Sequence, residues 1–189
     1  MSQVQALRVV EDAKSGDCAP AGKTVQAWMG RDISDLCRSP DLLAVYDRWR
    51  TLGTTKLPRL NEMLGPDQQT VANSSMVLMK LPNDLVFVHH GSVAVRTMGR
   101  DFTGVLHSEL KSAVAEEIQS VYLEAINKAQ ATYIRYVSQI STQHFSFEQI
   151  AVPLASDESR EPKLLLVRVA PLDDKSRSSR RSSIIRRSA

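Results

Sequence analysis

The chain has 189 residues, 42% of them hydrophobic and 24% charged, with 24 basic and 21 acidic side chains and a net charge of +3. That is the composition of an ordinary globular protein holding one domain and its flanking segments. A folded unit of about 150 residues buries roughly 70% of the surface its unfolded chain exposes, so neither disulfides nor a structural metal is needed. Cys18 and Cys37 have no ligand-type spacing to each other or to a histidine, which argues against a zinc site or a disulfide framework. The N-terminal MSQVQALRVVEDAKSGD lacks the basic start and apolar run of a signal peptide, and no apolar stretch reaches the ~18 residues of a membrane span. The expectation is a cytoplasmic protein with reduced thiols and no membrane span.

Residues 1–38 mix Gly, Ala, Pro, Lys and Asp with little periodicity, and are expected to form a flexible N-terminal arm. Order is expected from Ser39, a suitable helix N-cap ahead of Pro40 at the first helical position and Asp41 at the positive end of the helix dipole. Leu42, Val45, Tyr46, Trp49 and Leu52 then recur at three- and four-residue steps until Gly53, which predicts an amphipathic helix over 39–53. Its aromatic stripe must cover something, either the back of a sheet or the same helix of a second copy.

KLPRLNEMLGP (56–66) reads as a connector with one or two helical turns. SSMVLMKL and LVFVHHG, separated by Pro82, Asn83 and Asp84, predict a β-hairpin. The small and polar residues of SVAVRTMGRDFTGVLHSEL suit short helices and loops. From 111 to about 131, Val114, Ile118, Val121, Tyr122, Ala125 and Ala129 line one stripe of the longest predicted helix. Three strands follow, ATYIRYVSQI, QHFSFEQIAVPLA and PKLLLVRVAPL, with Phe145 and Phe147 alternating against His144, Ser146 and Glu148 as a half-buried strand requires.

The last fifteen residues, KSRSSRRSSIIRRSA, hold six basic side chains and no acidic one, so the rest of the chain is net acidic. This Ser/Arg segment, assigned to 173–189, has too little apolar surface to fold alone and is expected to be disordered. Arg177, Arg180, Arg181, Arg186 and Arg187 would serve as a tether to nucleic acid or to an acidic lipid surface if the tail has a role.

The fold class expected from this order is α+β: a five-stranded antiparallel sheet with helices inserted between the second and third strands, plus an N-terminal amphipathic helix. The order resembles the PAS fold, over residues 39–172. DLLAVYDRWRTL followed by KLPRL, and GRDFTG at 99–104, are similar to a proteobacterial PAS subfamily in which an aromatic helix precedes a Leu-Pro-Arg step and a Gly-Arg-Asp-x-Thr-Gly turn follows the second strand. One departure is VHHG, with His89 and His90, where such proteins often carry an arginine-bearing stretch.

The resemblance implies a non-catalytic sensory or regulatory module in signal transduction, acting through protein–protein contacts. A small-molecule ligand would lie between the sheet and the long helix, where Tyr122, Tyr133, Tyr136 and His107 are the candidate pocket residues; the alternative is that the tyrosines pack a closed core. The stripe Leu42, Val45, Tyr46, Trp49 and Leu52 is the candidate interface with a second copy, as a homodimer, or with a signalling partner. No cofactor is expected. Flavin photochemistry would need a cysteine beyond Asp41, where there is none. Haem would need an axial histidine on the long helix, whereas His107 lies just ahead of it. His89 and His90 point to opposite faces of a strand and suit one packed and one solvated ring rather than a metal site. Two other readings stand beside the sensor: a nucleic-acid or membrane-surface adaptor using the basic tail, and a small α+β enzyme. The second is disfavoured, since no GxSxG, Walker loop or metalloenzyme spacing occurs.

Overall fold

The computed structural model describes residues 25–30, 33–112, 114–140, 143–156 and 161–172. The basic tail with its arginines, and Cys18, lie outside the described residues, as does the side chain of His144. Six strands, β1 (Val25–Met29), β2 (Ser75–Lys80), β3 (Leu85–His90), β4 (Thr132–Ile140), β5 (Gln143–Ala155) and β6 (Pro162–Pro171), form one sheet in the order β1-β4-β5-β6-β2-β3. Every neighbouring pair is antiparallel. The helices are α1 (Ile33–Leu36), α2 (Pro40–Leu52), α3 (Leu60–Leu64), α4 (Gln68–Asn73), α5 (Ser92–Met98) and α6 (Ala115–Lys128), with a 3-10 turn at His107–Glu109.

Strands β2 to β6, with α5, the 3-10 turn and α6 between β3 and β4, give the α+β arrangement and PAS-type order expected from the sequence. The sheet differs in having a sixth strand. β1 comes from the segment expected to be a loose arm, and pairs with β4 from Val25 opposite Tyr136 to Met29 opposite Thr132. VQAWM has too few β-branched residues to announce a strand. It becomes one because β4 offers a free edge and both faces of β1 find cover: Ala27 is buried on one side, and Trp28 stacks on Tyr133 at 5.6 Å on the other.

Side chains alternate across the sheet and divide the core in two. Ile134, Tyr136, Phe147, Ala151, Leu165 and Val167 pack with α6 on the inner face. Tyr133, Ile150, Val152, Leu154 and Leu166 pack with α2 on the outer face. Because both faces are covered, the C-terminal strands are apolar nearly throughout, and Glu148, expected to alternate outward, is buried instead.

α2 begins as anticipated: Ser39 Oγ accepts the backbone N–H of Leu42, Pro40 opens the helix, and Gly53 ends it. Leu42, Val45 and Tyr46 are buried against the outer face, and Trp49 Nε1 donates to the carbonyl of Pro153 at 2.8 Å. The stripe therefore covers the back of its own sheet. This corrects the interface assignment for Leu42, Val45 and Tyr46; Trp49 and Leu52 are half-buried on the same packing face. Burying each such aliphatic side chain contributes about 1.5–3 kcal/mol, which explains why the helix serves the core first. The Leu-Pro-Arg step runs beside the end of β5, where Ala155 N donates to Pro58 O at 3.0 Å.

The β2–β3 hairpin carries a bulge. Val77 faces His89 while Leu78 faces Phe87, so Val88 has no opposite residue and protrudes. The extra residue resets the alternation and brings Phe87 and His90 together on the inner face, with ring centroids 6.3 Å apart. At the end of β3, Gly91 is buried, and a Cβ there would collide with the carbonyls of Ala72 and Asn73.

Candidate functional site

Between α6, the 3-10 turn and the inner face of the sheet lies a cavity of about 570 Å³. Its walls are mainly aromatic and aliphatic, with Phe87, Phe102, Tyr122, Tyr136 and Phe147 among the lining residues. The chain between β3 and α6 supplies much of the cavity lining, including Met98, Phe102, Val105 and Leu110. Three of the four sequence-predicted pocket residues, His107, Tyr122 and Tyr136, line it. Tyr133 does not. It sits three residues before Tyr136 on β4, an odd spacing that places the two on opposite faces.

His107 is 3% exposed, its ring stacked on Phe87 at 5.8 Å and set edge-on to Tyr122 at 5.6 Å. Burial pushes its pKa down to about 4, against the opposing pull of the Asp84 carboxylate, so the ring is neutral near pH 7. Asp84 itself is held in place by four side-chain and backbone donors: Ser108 Oγ at 2.5 Å, Gln119 Nε2 at 2.7 Å, Leu85 N at 2.7 Å and Ser108 N at 3.3 Å. Although burial acts the other way, hydrogen bonds from Ser108 and Leu85 keep its pKa below the usual carboxylate value. This carboxylate ties the 3-10 turn and α6 to the hairpin loop, fixing His107.

Gln149 is the buried polar lining residue that the sequence-based candidates did not include. It is 2% exposed in the middle of β5, and a side-chain hydrogen bond joins it to Tyr122. Two buried polar atoms of the lining residues, Gln149 Nε2 and His107 Nδ1, have no hydrogen-bond partner among the described residues. Tyr136 stacks on Phe147 at 5.5 Å, and burial raises the pKa of both the Tyr122 and Tyr136 phenols, so they stay protonated donors. The one sequence signal for Gln149 was the pair Glu148-Gln149 inside an apolar strand: with both faces packed, one of the two must enter the inner core.

GRDFTG builds the rim. Gly99 caps α5 in the left-handed conformation at φ 75°, and Asp101 Oδ1 accepts from both Thr103 N and Thr103 Oγ1 at 2.8 Å. Phe102 N donates to His90 Nδ1 at 3.0 Å, and Gly104 N donates to Phe87 O at 2.8 Å, strapping the turn along the outer edge of β3. Arg100 lies over the Phe102 ring at 5.6 Å, and Arg100, Glu109, Lys111 and Ser112 are exposed lining residues at the cavity mouth. Of the adjacent histidines, His90 is packed here, while His89 faces away, half-buried, with Nε2 2.9 Å from Ala72 O.

On the outer face, Glu148 accepts from Tyr133 OH at 2.5 Å and from Arg38 N at 3.2 Å, and Arg135 Nε contacts Tyr133 OH at 2.7 Å. Arg135 also bonds the carbonyl of Leu36 and lies over Trp28. This cluster pins the α1–α2 connection to the sheet, which is where Tyr133 belongs. Cys37 packs in the outer-face core, on the far side of the sheet from the cavity, where burial and the neighbouring Glu148 push its thiol up to about 11 and keep it protonated. Among the described residues, no cluster of His, Cys, Asp and Glu could hold a metal ion, and no helix is long and apolar enough to cross a membrane.

No family model matches the sequence, and no curated protein matches it. Solved structures of similar shape include one from work on a flavin analogue and the mechanism of light-oxygen-voltage domains, with TM-score 0.43 and 11% identity over 64% of this chain and 92% of that one. Another comes from a fungal LOV-domain photoreceptor linked to blue light and oxidative stress, with TM-score 0.41 and 18% identity over 70% of this chain and 92% of that one. At such scores and identities neither likeness bears on what this chain binds.

Proposed function

We propose that the chain is a PAS-type sensory or regulatory module that takes a small molecule into the cavity between α6 and the sheet and acts through contacts with another protein, without catalysis. The observation that carries this reading is the cavity, whose lining includes two buried polar atoms, Gln149 Nε2 and His107 Nδ1, with no hydrogen-bond partner among the described residues. Leaving such a group unsatisfied costs about 1–3 kcal/mol, a penalty that a ligand offering complementary groups removes. A volume of 570 Å³ is in the range of small-molecule sites. The order of elements supports the PAS assignment independently. A dimer or partner surface, in this reading, excludes the buried part of the α2 stripe.

The test is native mass spectrometry and absorption spectroscopy of the protein as isolated, beside an Ala115→Phe variant that fills the cavity from α6. The expected result is an extra mass that leaves on denaturation and is missing from the variant. Unliganded wild type that is stabilised by Ala115→Phe, as an empty void would be, would sink the reading. A haem or flavin spectrum would identify the guest directly.

A further inference from the structure

The cavity is chemically uneven. Its depth is aromatic, with an amide donor, Gln149 Nε2, and a neutral imidazole, His107, as the polar groups without a full set of partners. Its mouth is charged: Arg100 and Lys111 are exposed lining residues there, and Glu109 is the one acidic lining residue. Glu109 is engaged with its own turn, its carboxylate 3.4 Å from Leu106 N. Among the described residues, neither Arg100 nor Lys111 has an ion-pair partner. The guanidinium of Arg100 rests over the Phe102 ring, a position that holds a cation at the mouth without neutralising it.

Resting on the ligand-site reading above, we infer that the guest is a flat aromatic carboxylate: an apolar ring body among Phe87, Tyr122 and Phe147, a carbonyl-type acceptor meeting Gln149 Nε2, and an anionic end at Arg100 and Lys111. The amide N–H needs an acceptor, and a ring carbonyl supplies one without bringing a charge into the aromatic interior, where it would be costly. The neutral His107 ring presents either a donor or an acceptor according to tautomer, so it tolerates a second carbonyl or a hydroxyl. The anion, by contrast, belongs at the mouth, where water and two cations both stabilise it. A guanidinium beside a carboxylate makes a paired, charge-assisted contact stronger than a neutral hydrogen bond.

Three matched probes separate these features in calorimetric titrations of the full chain stripped of any bound molecule: anthraquinone-2-carboxylate, its neutral anthraquinone-2-carboxamide, and anthracene-2-carboxylate, which lacks the ring carbonyls. The carboxylate of the quinone is expected to bind one per chain and roughly tenfold more tightly than either analogue. The exposed-site double variant Arg100→Gln/Lys111→Gln, which leaves the core intact, is expected to abolish its advantage over the carboxamide without changing carboxamide binding. Gln149→Met is expected to abolish its advantage over the anthracene. Equal binding of carboxylate and carboxamide by the wild type would overturn the aromatic-carboxylate assignment while leaving the cavity as a ligand site. Binding of none of the three would overturn both.

Discussion

Burial between Phe87 and Tyr122 makes the neutral ring the form of His107 that the fold accepts, and pH reads this out. The folded pKa is about 4, below the ordinary histidine value of 6.5, so the unfolded chain binds the proton more readily. The stabilisation is fully present above pH 6.5, and is lost as pH falls from there through about 4. The shift corresponds to a loss on the order of 3 kcal/mol across that window. Urea titrations at a series of pH values should show this slope in the wild type and a flatter one in His107→Gln. Equal slopes would mean that the imidazole is not buried in its neutral form. Asp84 contributes in a different window: its lowered carboxylate pKa means that its stabilisation is lost at still more acid pH.

At the scale of elements, α2 shows how a stripe can be read correctly while its partner stays open between a sheet and a second copy. Spacing alone locates Leu42, Val45, Tyr46, Trp49 and Leu52 on one face, but a sheet and a second helix offer the same apolar welcome. The structure decides for the sheet, since Val152 and Leu154 on the outer face need cover and α2 provides it. Trp49→Ala removes half-buried aromatic surface and the indole bond to Pro153, and is expected to lower stability by about 2–3 kcal/mol in chemical denaturation. Unchanged stability with a concentration-dependent drop in mass by light scattering would restore the interface role. Tyr133 and Tyr136 give the converse case. Their separation is odd, so period-two alternation already divides them between faces once the strand is accepted.

For the whole molecule, the sheet begins earlier than the sequence suggests, and β1 is part of the folded unit. Ala27 is 5% exposed on the inner face, whereas Gln26 is half-buried on the other. Ala27→Asp is therefore expected to cost about 3 kcal/mol or more by burying an unpaired carboxylate. Gln26→Asp is expected to change stability by no more than about 0.5 kcal/mol. Thermal melts of the two variants check the pairing: a loose arm would make both substitutions silent.

The sequence by itself determined the local elements whose signals are local. The Ser39-Pro40 start and Gly53 stop of α2, the hairpin around Pro82-Asn83-Asp84, the long helix and the three final strands are all written in short-range patterns. Their order also determined the α+β class, whereas a pocket beneath the long helix was an expectation drawn from the family resemblance, with a closed core as its alternative. Only the tertiary structure decided what depends on contacts between distant segments. β1 forms because β4 has an edge to offer, and Glu148 is buried because α2 covers the outer face. Phe87 and His90 share a face because a bulge resets the register, and Gln149 bonds Tyr122 and lines one cavity with His107 because β5, α6 and the 3-10 turn enclose the same space. A polar residue's partners, unlike a helix cap, lie far away in sequence, so its role is settled only when the chain has closed around it.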